Sequence, residues 1–470
     1  MSTLLILNAH LVSAASEFDA DVVCRDGRLV ALYEPGRATM LAADETIDGT
    51  GLLTFPGFID PHVHSRDPGA THKEDFEHST RAAAAGGITT LLEMPNAKPP
   101  VSSADILRDR IAYFDGRAHV DFGLWGISYG DENLAELPGL VAAGVVGFKL
   151  FWGYALDRTH RQLVYNWSDA NASDVVMPPD IGGVYRVMEA LAPLRTVFAV
   201  HCEDRSLLDT LADRTWVGID DYETMLRRRP DVTEASSVAI GIELARATGC
   251  RFHVVHLSSA AALRLIRSAQ ADGVQVTTET CPHYLTLTDA SYPTVGSIMK
   301  VYPPVRTQAD QDALWEGVTD GTLTAVCSDH GPHTPEEKRL PLDEQPAGTT
   351  GVETTVPLLV DAMTHDRITP RRLAWVLSEG PARLYGLHPQ KGCLHPGADA
   401  DFTLVDPTAG WHICDDNLHS KHPASPWHGW TGTGRAVVGV LRGKVIMRDG
   451  SPCGPPRGRW VKPATIRVER

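Results

Sequence analysis

Between Pro56 and Gly69 the chain reads PGFIDPHVHSRDPG, which sets His62 and His64 two residues apart at the end of an apolar run containing Leu52, Leu53, Phe55, Phe58 and Ile59. Side chains at i and i+2 of a strand share a face, so both imidazoles can reach one metal ion at the strand's C-terminal end. Such a pair alone is a weak signal, because most isolated histidines are surface or core residues. Here further ligand types follow on later apolar segments. Lys149 sits inside GVVGFKLF and is one of only nine lysines. Desolvation there lowers an amine's pKa, and a neutral amine adds carbon dioxide to form a carbamate whose two oxygens can bridge two ions. FAVHCED carries His201, HVVHLSS carries His256 and AVCSDHGPH carries Asp329. The inventory fits two divalent ions: His62, His64, Lys149 and Asp329 on one, and Lys149, His201 and His256 on the other. Imidazole combined with carboxylate-type oxygen suits zinc, with manganese, iron and cobalt as alternatives.

These residues need a scaffold that brings five strand ends together. From FPGFIDPHVH to LTAVCSDHGPH the middle of the chain alternates apolar strand and amphipathic helix eight times, through GITTLLEMPN, VDFGLWGIS, VVGFKLF, TVFAVHCED, RFHVVHLSS and VQVTTETCPHYL. Eight such units predict an α/β fold, a (β/α)8 TIM barrel, whose chemistry sits at the C-terminal ends of the strands. Helical patterns include DFEHSTRAAAAGG, ADILRDRIAYF, TEASSVAIGIELARATG and SAAALRLIRSAQADG, with Gly86, Gly144, Gly249 and Gly273 as expected helix stops. Both ends of the chain read instead as short alternating strands, with hairpin-type turns at Asp26-Gly27, Asp48-Gly49, Arg442-Gly443 and Asp449-Gly450. The expected organisation is a small β-sandwich built from residues 1–54 and 391–470 around a barrel of residues 55–390. Residues 152–179 show no strand or helix period and are expected to form a lid or binding loop.

Composition excludes several classes. A net charge of -16 argues against nucleic-acid and anionic-membrane partners, and the basic run Arg227-Arg228-Arg229 reads as a solvated helix face. The eight cysteines form no CxxC pair or compact framework, which points to free thiols and a cytoplasmic location. No apolar stretch approaches the roughly 20 residues that span a bilayer.

Together the six ligand candidates and their strand positions resemble the amidohydrolase superfamily, in its cyclic amidohydrolase branch of dihydroorotases, allantoinases and hydantoinases. The resemblance covers nearly the whole chain. It implies hydrolysis of a cyclic amide C–N bond at a two-metal centre, with N6-carboxylated Lys149 as the bridge and Asp329 as the proton shuttle. In dihydroorotases the arginine after HxH, the asparagine of MPN and the second histidine of DHxPH hold a substrate carboxylate, which assigns Arg66, Asn96 and His333 here. Tyr154, five residues after Lys149, is similar to the hydantoinase tyrosine that hydrogen-bonds the substrate carbonyl or oxyanion. TCPHYL and Tyr302 also depart from the dihydroorotase pattern. The expectation is a dihydroorotase-like enzyme of pyrimidine metabolism, with a hydantoinase/dihydropyrimidinase- or allantoinase-like ureide hydrolase as the alternative. A non-catalytic scaffold would normally lack several of the ligands, and a deaminase would lack the strand-four lysine. Relatives assemble as homodimers or homotetramers, and the same is expected here.

Overall fold

The computed structural model describes residues 2–159, 163–164, 174–214 and 221–464. Eight strand segments form the barrel in sequence order: Phe58–Val63, Ile88–Glu93, Asp121–Leu124, Gly147–Phe151, Val197–His201, Arg251–Val254, Val276–Thr280 and Ala325–Val326. All their neighbour pairings are parallel. The third and fourth are joined by the Val146 N–H to Leu124 carbonyl bond, at 2.9 Å. The ring closes where Val63 bridges His330 and the His64 N–H donates to the His330 carbonyl at 2.8 Å. These strands are almost wholly buried, as a parallel sheet covered by helices requires.

The expected helices form at Phe76–Gly86, Ala104–Phe114, Asp231–Thr248 and Ala260–Ala271. Asp75, Ser103 and Ser259 cap three of them through side-chain oxygens that accept N–H groups of the first turn. One stop signal differs from expectation. Gly86 is the last helical residue, and Gly87 (φ 91°) makes the left-handed cap.

Both termini contribute to one nine-stranded sheet. Its path runs Ser451–Pro452, Lys444–Arg448, Thr431–Leu441, Phe402–His412, Leu53–Pro56, Thr3–Val12, Glu17–Arg25 and Arg28–Tyr33, and Glu45–Asp48 also pairs with Thr3–Val12. Leu4, Ile6, Leu11, Val22, Phe402, Leu404 and Val440 share one apolar cluster drawn from both ends of the chain. Asp26-Gly27, Arg442-Gly443 and Asp449-Gly450 adopt positive φ at both positions and turn hairpins. Asp48-Gly49 does not. The strands on either side of it both lie parallel to Thr3–Val12, so the chain steps along that strand rather than folding back. Leu53–Pro56 leads at once into the first barrel strand, and the sheet thereby anchors the segment that delivers His62 and His64.

The 152–179 segment contains short strands despite its lack of period. Ala155–Asp157 pairs antiparallel with Leu163–Val164 and with Val175–Val176, while residues 160–162 and 165–173 of the expected lid lie outside the described residues. No described helix is long and apolar enough to cross a membrane.

Candidate metal centre

The barrel brings all six ligand candidates to one end of the molecule. His62 lies in the first strand and His64 just beyond it; Lys149 is in the fourth strand and His201 ends the fifth. His256 and Asp329 follow the sixth and eighth. The last two have φ of 37° and 46°, and Arg66 has 58°. These are left-handed conformations that cost a non-glycine residue on the order of 1–3 kcal/mol and concentrate at functional sites.

The Nε2 atoms of His62 and His64 lie 3.2 and 3.5 Å from Asp329 Oδ1, and the three ligand atoms fall within 4.8 Å of one another. His201 Nδ1 faces His256 Nε2 at 3.0 Å. Lys149 Nζ is fully buried and has no hydrogen-bond partner. Burial pushes its pKa down to about 8. Burial also lowers His64 to about 4 and His256 well below its ordinary value, which keeps these imidazoles neutral. Burial alone would raise Asp329, yet the adjacent His62 and His64 rings hold it well below the usual carboxylate range. Neutral imidazoles, an ionised carboxylate and a buried amine without a partner form a donor set that fits divalent cations.

The backs of His62, His64 and His201 are fixed as well. His62 Nδ1 donates to Glu279 Oε1 at 2.7 Å, His64 Nδ1 to Asn96 Oδ1 at 2.8 Å, and His201 Nε2 to Glu203 Oε2 at 2.8 Å. Each bond leaves the opposite ring nitrogen as the free lone pair, as ligating histidines require. Glu203 also takes Arg229 Nη1 at 2.5 Å and the Tyr154 hydroxyl at 3.3 Å. Although burial opposes it, the Arg229 guanidinium brings the Glu203 carboxyl down to about 2. Tyr302 lies flat under Arg229, 3.6 Å from the guanidinium carbon to the ring centre. The sequence reading missed Glu203, Glu279 and Arg229. Arg229 was expected on a solvated face and is instead buried, because Asp221 caps a short helix (Tyr222–Arg228) whose end turns the side chain inward. Glu203, two residues after His201, was the one signal available.

A small cavity of about 50 Å³ lies against these groups, lined by Arg66, Tyr154, Val301, Tyr302, Gly331, Ala347 and Gly348 among others. Of the expected carboxylate clamp only Arg66 faces it. Asn96 accepts from His64. His333 Nε2 donates to the Ala347 carbonyl at 3.0 Å, its Nδ1 lies 3.4 Å from Lys73 Nζ, and burial lowers it to about 3. Arg66 makes none of the described ion pairs. Asp67 is taken by Arg117 and Tyr113, and Asp75 by His78 and Lys421.

The amidohydrolase family profile matches residues 53–446. The chain belongs to the amidohydrolase family. It is 36% identical to an allantoinase of Rubrobacter xylanophilus over 455 residues, 96% of each chain. It is 34% identical to a dihydroorotase of Geobacter sp. (strain M21), over 95% of this chain and all of that one. The solved L-hydantoinase (dihydropyrimidinase) from Arthrobacter aurescens superposes with a TM-score of 0.91 at 30% identity, over 98% of this chain and all of that one. The chain is thus a cyclic amidohydrolase with the barrel fold expected from its sequence.

Proposed function

We propose that this enzyme opens a neutral cyclic ureide of the allantoin type at a two-metal centre. The observation that carries the ring class is the cavity wall. Val301, Gly331, Ala347 and Gly348 line it together with a single cation, Arg66, and neither Asn96 nor His333 is among its lining residues; Asn96 Oδ1 faces His64 and His333 Nε2 faces the Ala347 carbonyl. The allantoinase names of several relatives support the same reading. One observation favours dihydroorotate as a second reading: Arg66 makes none of the described ion pairs, and a guanidinium is a good carboxylate partner.

His62, His64, Lys149, His201, His256 and Asp329 would hold the ions, zinc being the metal their chemistry suits best, with Lys149 carboxylated by carbon dioxide at the loss of one proton. Such ions supply Lewis acidity and acidify water. Asp329 takes the proton of the attacking water and returns it to the ring nitrogen as the C–N bond breaks. Tyr154 exchanges its long bond to Glu203 for the carbonyl oxygen as charge develops there. Arg66 donates to a ring oxygen and fixes the orientation.

Rates on allantoin, dihydroorotate, hydantoin and dihydrouracil by metal-loaded protein test the reading. Allantoin is expected to give the highest kcat/KM, with Arg66→Met acting on KM. A dominant rate on dihydroorotate, lost with Arg66, would replace it by the second reading.

A further inference from the structure

Residues 345–348, of which Ala347 and Gly348 line the cavity together with Arg66, belong to no described helix or strand. Four successive carbonyls there are each taken by a side-chain donor. Lys300 Nζ holds Gln345, Lys338 Nζ holds Pro346 at 3.4 Å, His333 Nε2 holds Ala347 at 3.0 Å, and Lys338 Nζ holds Gly348 at 2.7 Å. Lys300 Nζ also takes the Leu342 carbonyl, and the Lys300 carbonyl accepts the Gly348 N–H at 2.9 Å. Lys300 is 1% exposed, and neither lysine belongs to any described ion pair. Buried cations ordinarily pair with carboxylates. Buried Lys300 and half-buried Lys338 instead direct their donors at peptide oxygens of one short segment.

The seat of that segment is tight. Gly348 has φ 134°, and a Cβ there would come within 2.4 Å of the Gly331 carbonyl and 3.2 Å of His333 Nε2. Gly331 packs in turn against the Arg66 guanidinium, 3.1 Å from where its Cβ would stand. A small shift of 345–348 therefore changes the width of the ring pocket directly. Burial, followed by repulsion from Lys300 and Arg66, pushes Lys338 down to about 7 against the pull of Glu337. What it gains is a fixed backbone.

We propose that Lys300 and Lys338 are positioning residues that clamp the 345–348 backbone and thereby set ring affinity and ring-size selectivity without touching substrate. The proposal rests on hydrolysis of a cyclic amide and not on which ring is preferred. Lys338, half-buried at the rim, is the variant to use. With the best ring of the panel, Lys338→Met should raise KM about tenfold or more, the loss of a charged hydrogen bond, while kcat changes less than about threefold. Discrimination between five- and six-membered rings should narrow. Lys338→Arg, whose guanidinium can still reach two carbonyls, should recover most of the KM. Amide hydrogen exchange of peptides spanning 342–348 should accelerate in Lys338→Met and return toward wild type in Lys338→Arg. A merely structural lysine would lower the active fraction with KM unchanged. An unchanged KM, or unchanged exchange, in folded Lys338→Met overturns the clamp. If the wild type opens no ring of the panel, the ureide reading fails separately and the exchange experiment still decides this one.

Discussion

At the scale of single residues, the candidate centre depends on front-and-back control of His62, His64 and His201. The back nitrogens of His62, His64 and His201 each meet an oxygen acceptor, so one tautomer is selected and the opposite lone pair points inward. Under the proposed function Asp329 would combine two tasks, ligand and proton carrier. Asp329→Asn keeps the shape and removes the base, and turnover should fall by about 10²–10⁴-fold or more with the thermal transition retained; near-normal turnover would refute the role. Lys149→Ala should lose bound metal and activity together. Short carboxylic acids should restore part of both by standing in for the carbamate, and full metal content without them would rule the bridge out. Glu93 gives a pH signature. It is buried at the end of the second barrel strand, where Ser65 donates to it through both N–H and hydroxyl. Burial raises its carboxyl to about 8 despite those bonds. The folded state therefore binds more protons than the unfolded state between about pH 4.5 and 8, and stability falls as pH rises through that window. Glu93→Gln should flatten the decline, as read by melting temperature across pH 5–8. An equal decline in the variant would show that Glu93 is not its source.

At the scale of elements, the strand ends do the positioning and the loops tune it. Each candidate ligand sits in or within three residues of a barrel strand whose parallel neighbours fix its height, so the geometry inherits the rigidity of the sheet. Arg66, His256 and Asp329 leave their strands through left-handed backbone, which turns the side chains toward the axis instead of along the strand. The periodicity of the sequence made these strands legible, because a strand buried on both faces is a continuous apolar run. It did not reveal the short antiparallel sheet within 152–179, where two- and three-residue strands are too brief to show a period. Nor did it reveal Arg229 under Glu203, because a basic run looks the same whether its last member is solvated or turned inward.

At the scale of the whole molecule, the terminal sheet and the barrel are joined by a buried charge cluster. Lys391 Nζ lies 2.5, 3.0 and 2.5 Å from Asp121, Asp399 and Asp401. Asp121 opens the third barrel strand, and the other two aspartates precede the sheet strand Phe402–His412. The ammonium sits among the three carboxylates and, with Arg28 and Arg442, balances a triad that could otherwise attract a cation. Removing one partner of a buried ion pair typically costs about 3–5 kcal/mol, so Lys391→Met should destabilise the chain by roughly that amount in denaturant unfolding. A loss below about 1 kcal/mol would show that Arg28 and Arg442, which also reach this cluster, suffice to join the two parts.

The residue types and their spacing by themselves determined the barrel, the six ligand candidates and the chemistry those ligands imply. Alternating apolar strands and helices admit few topologies, and histidine, lysine and aspartate at successive strand ends have few uses in common. Ring preference was not determined in that way. Arg66, Asn96 and His333 read as one clamp along the chain, but in three dimensions Asn96 serves His64 and His333 holds the Ala347 carbonyl. A hydrogen-bonding side chain has many available partners at one sequence position, and only the packed fold decides which atom lies within 3 Å.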